Sequence, residues 1–271
     1  MSTVPSFAFA RFAAVVAVSA IAAGCVAAGA EQTPAPTGPP TPVVVELFTS
    51  EGCSSCPPAD DLLGRLVRTQ AVAGAEVVAL EEHVDYWDEL GWKDPFSSAA
   101  LTDRQRRYAA AFHSDDIYTP QMVVDGRAGF VGSDASAARR AIGKARRDEH
   151  GALAIAVTSV GDGRATVSLT AGPLPASAHG AADLLLAVTE DHLQSAVTRG
   201  ENHGRTLRHA AVVRSLSTVG QVPAAGGTMR GDVVLAPGWN RAALKAVAFV
   251  QERGSRRVLA AAVVPLETAA R

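Results

Sequence analysis

Two cysteines three positions apart, Cys53 and Cys56, carry the most readable chemistry in this chain. They follow an apolar run, Val43-Val44-Val45-Glu46-Leu47-Phe48, and precede a helical pattern that opens on Pro57-Pro58. Two thiols at that spacing can close a small disulfide and open it again. A helix N-terminus favours a thiolate through its free amides and the positive end of its dipole. Cys53 is therefore expected at the N-cap as the exposed attacking sulfur, with the amides of Ser55 and Cys56 directed at it. Cys56, one turn inward, is expected to resolve. The two prolines cost little there, because first-turn amides have no acceptor within the helix. An inert structural disulfide is the plainer alternative. The strand before the pair and the helix after it favour exchange.

A second polar tract, His83-Val84-Asp85-Tyr86-Trp87, runs on to Gly91-Trp92-Lys93-Asp94-Pro95-Phe96. Strands that run parallel end on the same side as the N-terminus of the helix between them, so His83 and Asp85 are expected near Cys53. Trp87 and the neighbouring aromatics suggest a shaped surface for a substrate peptide. His83 has another reading, as a third ligand beside Cys53 and Cys56 for copper, since soft thiolates select Cu(I). It has also a bland one, in which it only packs the connection. The tract Arg199 to Leu207 (RGENHGRTL) reads as a solvated loop or as a contact to the first half of the chain.

The elements that must place these residues follow from hydrophobic period. Val43–Phe48 and Val77–Leu80 read as buried strands. Helices are expected over Asp60–Val72, Ser98–Phe112 and Ala135–Arg147, the last capped by Ser133. Gln121–Val124 and the run ending at Val131 read as a hairpin turning at Asp125-Gly126. Past Gly151, strand candidates at Ala152–Val160, Arg164–Thr170, Leu184–Val188, Ala210–Val219, Ala246–Gln251 and Val258–Val264 suggest a small β-sandwich.

The whole chain sets the bounds. Its 271 residues carry a formal net charge of −2, and 48% are hydrophobic. That is a globular composition with nothing to recommend nucleic acid as a partner. Residues 1–30 read as a secretory signal with a cleavage site at Ala28-Gly29-Ala30. Cys25 closes an imperfect lipobox and is the alternative, a lipid anchor. Residues 31–42 form a proline-rich linker. Export permits a persistent disulfide. A zinc site from cysteines would need a second C-x-x-C, and none occurs.

The order β-α-β-α-β-β-α over residues 43–149 is that of a thioredoxin-like domain, a central mixed sheet flanked by helices. Residues 150–271 then form a β-sandwich-like C-terminal domain, giving an α/β fold overall. In thioredoxin-like proteins a cis proline opening the third strand packs against the C-x-x-C and leaves a backbone edge free to pair with a peptide. Pro120 has that place, with Thr119 beside it. Thioredoxin also buries an acid near its pair, one residue nearer the first cysteine than Glu46 is here. Glu46 is the corresponding proton relay, or else a glutamate solvated at a sheet edge.

Four stretches, ELFTSEGCSSCPPAD, HVDYWDELGWKDPF, YTPQMVVDG and GENHGRTLRHAAVVR, together resemble the exported thioredoxin-like proteins grouped as domain of unknown function 1223. The resemblance runs from about Val43 to Val264. It implies a thioredoxin-like domain with a β-rich extension, and by analogy the roles given above to Cys53, Cys56 and Pro120. Three functions remain open. The first is an exported thiol–disulfide oxidoreductase acting without organic cofactor on protein thiols or disulfides of the envelope. The second is a copper-binding metallochaperone. The third is an envelope interaction protein in which the disulfide is a staple.

Overall fold

A computed structural model describes residues 1–3 and 38–266. The chain divides into two compact units, Met1–Pro34 and Ala35–Arg271, and all elements below belong to the second. The expected signal segment, its cleavage site, the Cys25 anchor and the linker up to residue 37 lie outside the described residues. Gly38 to Pro40 are exposed, but Thr41 and Pro42 already belong to the first strand. Among the described residues no helix is long and apolar enough to cross a membrane.

Strand β1 (Thr41–Thr49) leads to α1 (Pro57–Thr69) and β2 (Ala75–His83). Helix α2 (Ala99–Ala111), the hairpin β3 (Gln121–Val124) and β4 (Ala128–Val131), and α3 (Ala135–Ala145) follow. The remaining strands are β5 (Leu153–Gly161), β6 (Arg164–Ala171), β7 (Ala182–Glu190), β8 (Leu193–Ala196), β9 (Thr206–His209), β10 (Val212–Val222), β11 (Gly227–Val234), β12 (Leu244–Glu252) and β13 (Val258–Pro265).

Eight strands form one mixed sheet in the order β13-β12-β7-β10-β2-β1-β3-β4. β1 and β2 pair in parallel, whereas β1–β3 and β3–β4 are antiparallel. β10 joins the parallel pair beside β2, through Val212 opposite Glu81. The strands after residue 150 therefore do not all form sheets of their own. β7, β10, β12 and β13 extend the central sheet, while β11-β6-β5 make a separate three-stranded sheet and β8-β9 a short ribbon.

Alternation along each strand decides what faces what. Val43, Val45 and Leu47 pack with Leu62, Leu63 and Leu66 of α1 and with Ile142 of α3. Val44, Val78 and Leu80 turn the other way and meet Leu101 of α2. That second cluster continues through Leu185, Val247 and Phe249, so one apolar layer spans both halves. Leu184, Leu186 and Val188 face away from it and pack on Val167 and Leu169 of the three-stranded sheet.

The helix caps are local. Ser98 caps α2 by accepting from the Ala100 amide. For α3 the cap is Asp134 rather than the expected Ser133: its carboxylate accepts from the Ser136 and Ala137 amides at 2.9 and 2.8 Å. Ser133 stands one residue too early to reach amides of the first turn. At the β3–β4 turn, Asp125 accepts from the Val44 amide and bonds the His150 ring at 2.9 Å.

Candidate functional site

Cys53 and Cys56 are joined in a disulfide, with Cα atoms 5.5 Å apart, in the turn between β1 and α1. Two expectations change here. The N-cap of α1 is Cys56, not Cys53, because Pro57 and Pro58 occupy the first two helical positions. Having no N–H, these prolines remove amides that would otherwise face an anion. The next two amides, of Ala59 and Asp60, bond the Cys56 carbonyl. The Cys56 amide itself bonds the Cys53 carbonyl, and the polar neighbour of the Cys53 sulfur is the Ser55 hydroxyl at 3.3 Å. Nor is Cys53 exposed: it is 1% accessible, and Cys56 is fully buried.

The loop between β8 and β9, expected as solvated or as a contact, is bonded to this turn. It is a contact. Glu201 accepts from the Ser54 amide at 2.9 Å. The fully buried Asn202 carboxamide donates to the carbonyls of Glu51 and Cys53, at 2.9 and 3.0 Å. These hydrogen bonds tie residues some 150 positions apart and close the dithiol turn from outside. The Ser54 side chain, and then its amide, hold the Glu201 carboxyl below its ordinary range.

The residues assigned to substrate are divided. Trp87 donates its indole N–H to Thr119 at 2.8 Å. It also lies over Gly52, where an added Cβ would stand 3.0 Å from the Trp87 Cβ, so the residue before Cys53 has no room for a side chain. The Thr119–Pro120 bond is cis. Pro120 is buried, and it shares with Leu47 and Ala59 of α1's first turn the space that a side chain at Gly132 would fill. Trp87, Thr119 and Pro120 thus stand beside the Cys53–Cys56 turn. Asp85 is instead fastened to α2, accepting from the Thr102 hydroxyl at 2.6 Å.

Glu46 does not reach the thiols. Strand period puts it on the face of Val44 and Phe48, opposite α1. There it is fully buried and bonds Arg104 Nε at 2.6 Å and the Tyr108 hydroxyl. The one-residue offset from the thioredoxin spacing is enough to turn the side chain through the sheet. The expectation of a glutamate at a solvated sheet edge also fails. Glu82 joins the same group at 3.2 Å from Arg104. Burial first, and then the Glu46 charge, lift the Glu82 carboxyl well above its usual range.

His83 is also fully buried, in a cluster that the sequence reading missed. Its Nδ1 meets Asp94 Oδ2 at 2.7 Å, and its Nε2 faces Glu81 Oε1 at 3.5 Å. His209, from the end of β9, puts Nδ1 on the same Glu81 oxygen at 2.7 Å and Nε2 on Glu51 Oε1 at 3.0 Å. Burial would lower His83, but Asp94 and then Glu81 outweigh it and raise it to about 9. Glu81 goes the other way: burial would raise it, and His209 with His83 hold it at about 2. Nearby Asp60, which accepts from Thr49, is raised to about 7 by burial and by the Glu81 charge. Among the described residues His83 therefore groups with Glu81 and His209, not with the two sulfurs as the copper reading required. A charged triplet, Glu81-Glu82-His83, at the end of a buried strand was the available signal. Its meaning depends on partners outside the strand: Asp94, Arg104 and, 128 residues on, His209.

Two solved structures share this architecture. Protein AGR_C_4864 from Agrobacterium tumefaciens superposes with a TM-score of 0.67 at 24% identity, over 86% of this chain and 98% of that one. HBP35 of Porphyromonas gingivalis gives 0.63 at 13% identity, over 86% and 79%. At such identities the likeness is one of fold. No curated protein matches the chain. The family model described as "Protein of unknown function (DUF1223)" matches residues 44–251, and the chain belongs to that family.

Proposed function

We propose that the chain is an exported thiol–disulfide oxidoreductase on a thioredoxin-like scaffold, with Cys53 as nucleophile and Cys56 as resolving thiol. The reading is carried by the pair itself, closed as a disulfide between a central parallel strand and the start of a helix. The paired β1, β2 and β3, with Pro120 opening β3 beside that turn, support the scaffold. The leader-like first 30 residues and the disulfide favour an oxidising compartment.

Exchange follows from the two sulfurs. Cys53 thiolate attacks a substrate disulfide, forms a mixed disulfide and releases one substrate thiolate, which takes a proton from water. Cys56 thiolate then attacks the Cys53 sulfur, expels the second substrate thiolate and closes Cys53–Cys56. The substrate disulfide is reduced and the protein dithiol oxidised, two electrons each. The reverse sequence oxidises a substrate dithiol. With Cys53 buried, substrate sulfur needs the turn to open, and the loop holding Glu201 and Asn202 is bonded to that turn.

An insulin-type reduction assay with dithiothreitol as donor tests the reading. Cys53→Ser should abolish turnover, and Cys56→Ser should accumulate a mixed disulfide at Cys53. If both variants keep wild-type turnover, the pair does no exchange.

A further inference from the structure

We propose that Glu81, His83 and His209 form a binding site for a divalent cation of the zinc class, separate from the two cysteines. One ligand atom from each of the three buried residues lies within 4.8 Å of the other two, and Glu81 Oε1 stands 3.5 Å from His83 Nε2 and 2.7 Å from His209 Nδ1. Two imidazoles and one carboxylate are a donor set suited to zinc and its neighbours rather than to calcium or magnesium, which take oxygen ligands.

Each donor is already braced from behind. His83 presents Nε2 because Nδ1 is engaged by Asp94 at 2.7 Å. Asp94 is fixed in turn by the Glu51 and Phe96 amides, at 2.8 and 2.9 Å. His209 presents Nδ1 because Nε2 is engaged by Glu51, whose other oxygen accepts from the Trp92 indole at 2.8 Å. Glu81 presents Oε1 because Oε2 accepts from the Ala210 amide at 2.8 Å. A carboxylate behind each ligating imidazole is the usual means by which proteins orient histidine toward a metal.

His83 Nε2 supplies an independent observation. It is fully buried and has no hydrogen-bond partner. A buried polar atom left unsatisfied is destabilising, so its persistence calls for a partner. Its separation from Glu81 Oε1, 3.5 Å, is too long for a hydrogen bond but close to the donor–donor spacing of about 3.3 Å around tetrahedral zinc. The 2.7 Å between His209 Nδ1 and Glu81 Oε1 would open by about 0.6 Å to match.

The surroundings complete the fit. Phe96 packs edge-on against both imidazoles, at centroid distances of 5.3 and 5.6 Å. On another side His209 and Asp60 line a cavity of about 480 Å3. Glu51, Glu81 and Asp94 converge on the two rings, whose protons a bound cation would displace.

The test uses the intact chain, stripped by a chelator, with the Cys53–Cys56 disulfide left closed and Cys25 alkylated so that no thiolate can bind. Zn2+ should bind at one equivalent and raise the melting temperature. Co2+ in its place should give the visible absorption of a four- or five-coordinate site without sulfur charge transfer, and zinc X-ray absorption should show only nitrogen and oxygen at about 2.0–2.1 Å. Asp94→Asn should weaken binding by about 10–100-fold while the chain stays folded, and His209→Gln and His83→Gln should each weaken it further. The Cys53→Ser/Cys56→Ser chain should bind as the wild type does. No uptake by the oxidised wild type at about 1 mM Zn2+ would overturn the proposal, and needs no variant to fold. So would uptake indifferent to all three substitutions, or a sulfur shell in the absorption spectrum.

Discussion

Asn202→Ala should make the disulfide easier to reach. The carboxamide of Asn202 is fully buried and donates two hydrogen bonds to the dithiol turn, to the Glu51 and Cys53 carbonyls. A neutral hydrogen bond contributes about 0.5–1.5 kcal/mol net, so the closed loop should lose about 1–3 kcal/mol. At 1.4 kcal/mol per factor of ten, the open fraction rises by about 5- to 150-fold. While that fraction is small, attack on the disulfide scales with it. The assay mixes oxidised protein with excess dithiothreitol, traps thiols with an alkylating agent at intervals, and counts the added mass. The variant should be reduced faster by that factor, with its far-ultraviolet spectrum unchanged. Glu201→Gln should act in the same direction but less, because its partner bond is exposed and solvent competes for it. A folded Asn202→Ala protein reduced at the wild-type rate would show that the loop does not gate the sulfurs.

Two further outcomes concern the frame. Arg104→Met strands the Glu46 carboxylate in the core and should cost about 3–5 kcal/mol in urea unfolding, whereas Arg104→Met with Glu46→Gln should recover much of the loss. His150 is raised above its ordinary value, since Asp125, by hydrogen bond and charge, outweighs burial; its stabilisation is full below pH about 6.5 and fades as pH rises through the raised value, so the stability gap between wild type and His150→Gln should be wider at pH 6 than at pH 9.

Local patterns were legible in the sequence where the cause was local. Each of the first seven elements lies where its apolar period or turn residues put it, with ends shifted by a few residues. β2 is the instructive shift. The apolar run ends at Leu80, yet the strand continues through His83 with Glu81, Glu82 and His83 all buried. Charge in a core is tolerable only against partners, and those partners, Arg104 and His209, come from elements remote in sequence. The same limit hid the loop over Cys53. The tract containing Glu201 and Asn202 was visible as polar, but polarity does not say what it bonds. Glu46 failed by parity alone, since a strand changes face at every residue.

The joint between the halves explains why these misses cluster. β10 meets β2 at Glu81, and the Glu81 amide bonds the Ala211 carbonyl while its side chain takes the Ala210 amide and the His209 ring. One residue thus fastens the added strands to the parallel pair and anchors the buried histidines. From the same joint the chain's preceding loop reaches back over Cys53. The β-rich half therefore does not simply follow the domain that carries the cysteines. It completes the charge balance beneath the dithiol turn and supplies the cover above it. A substitution in β9 or its loop should accordingly be felt at a sulfur about 150 residues earlier in the chain.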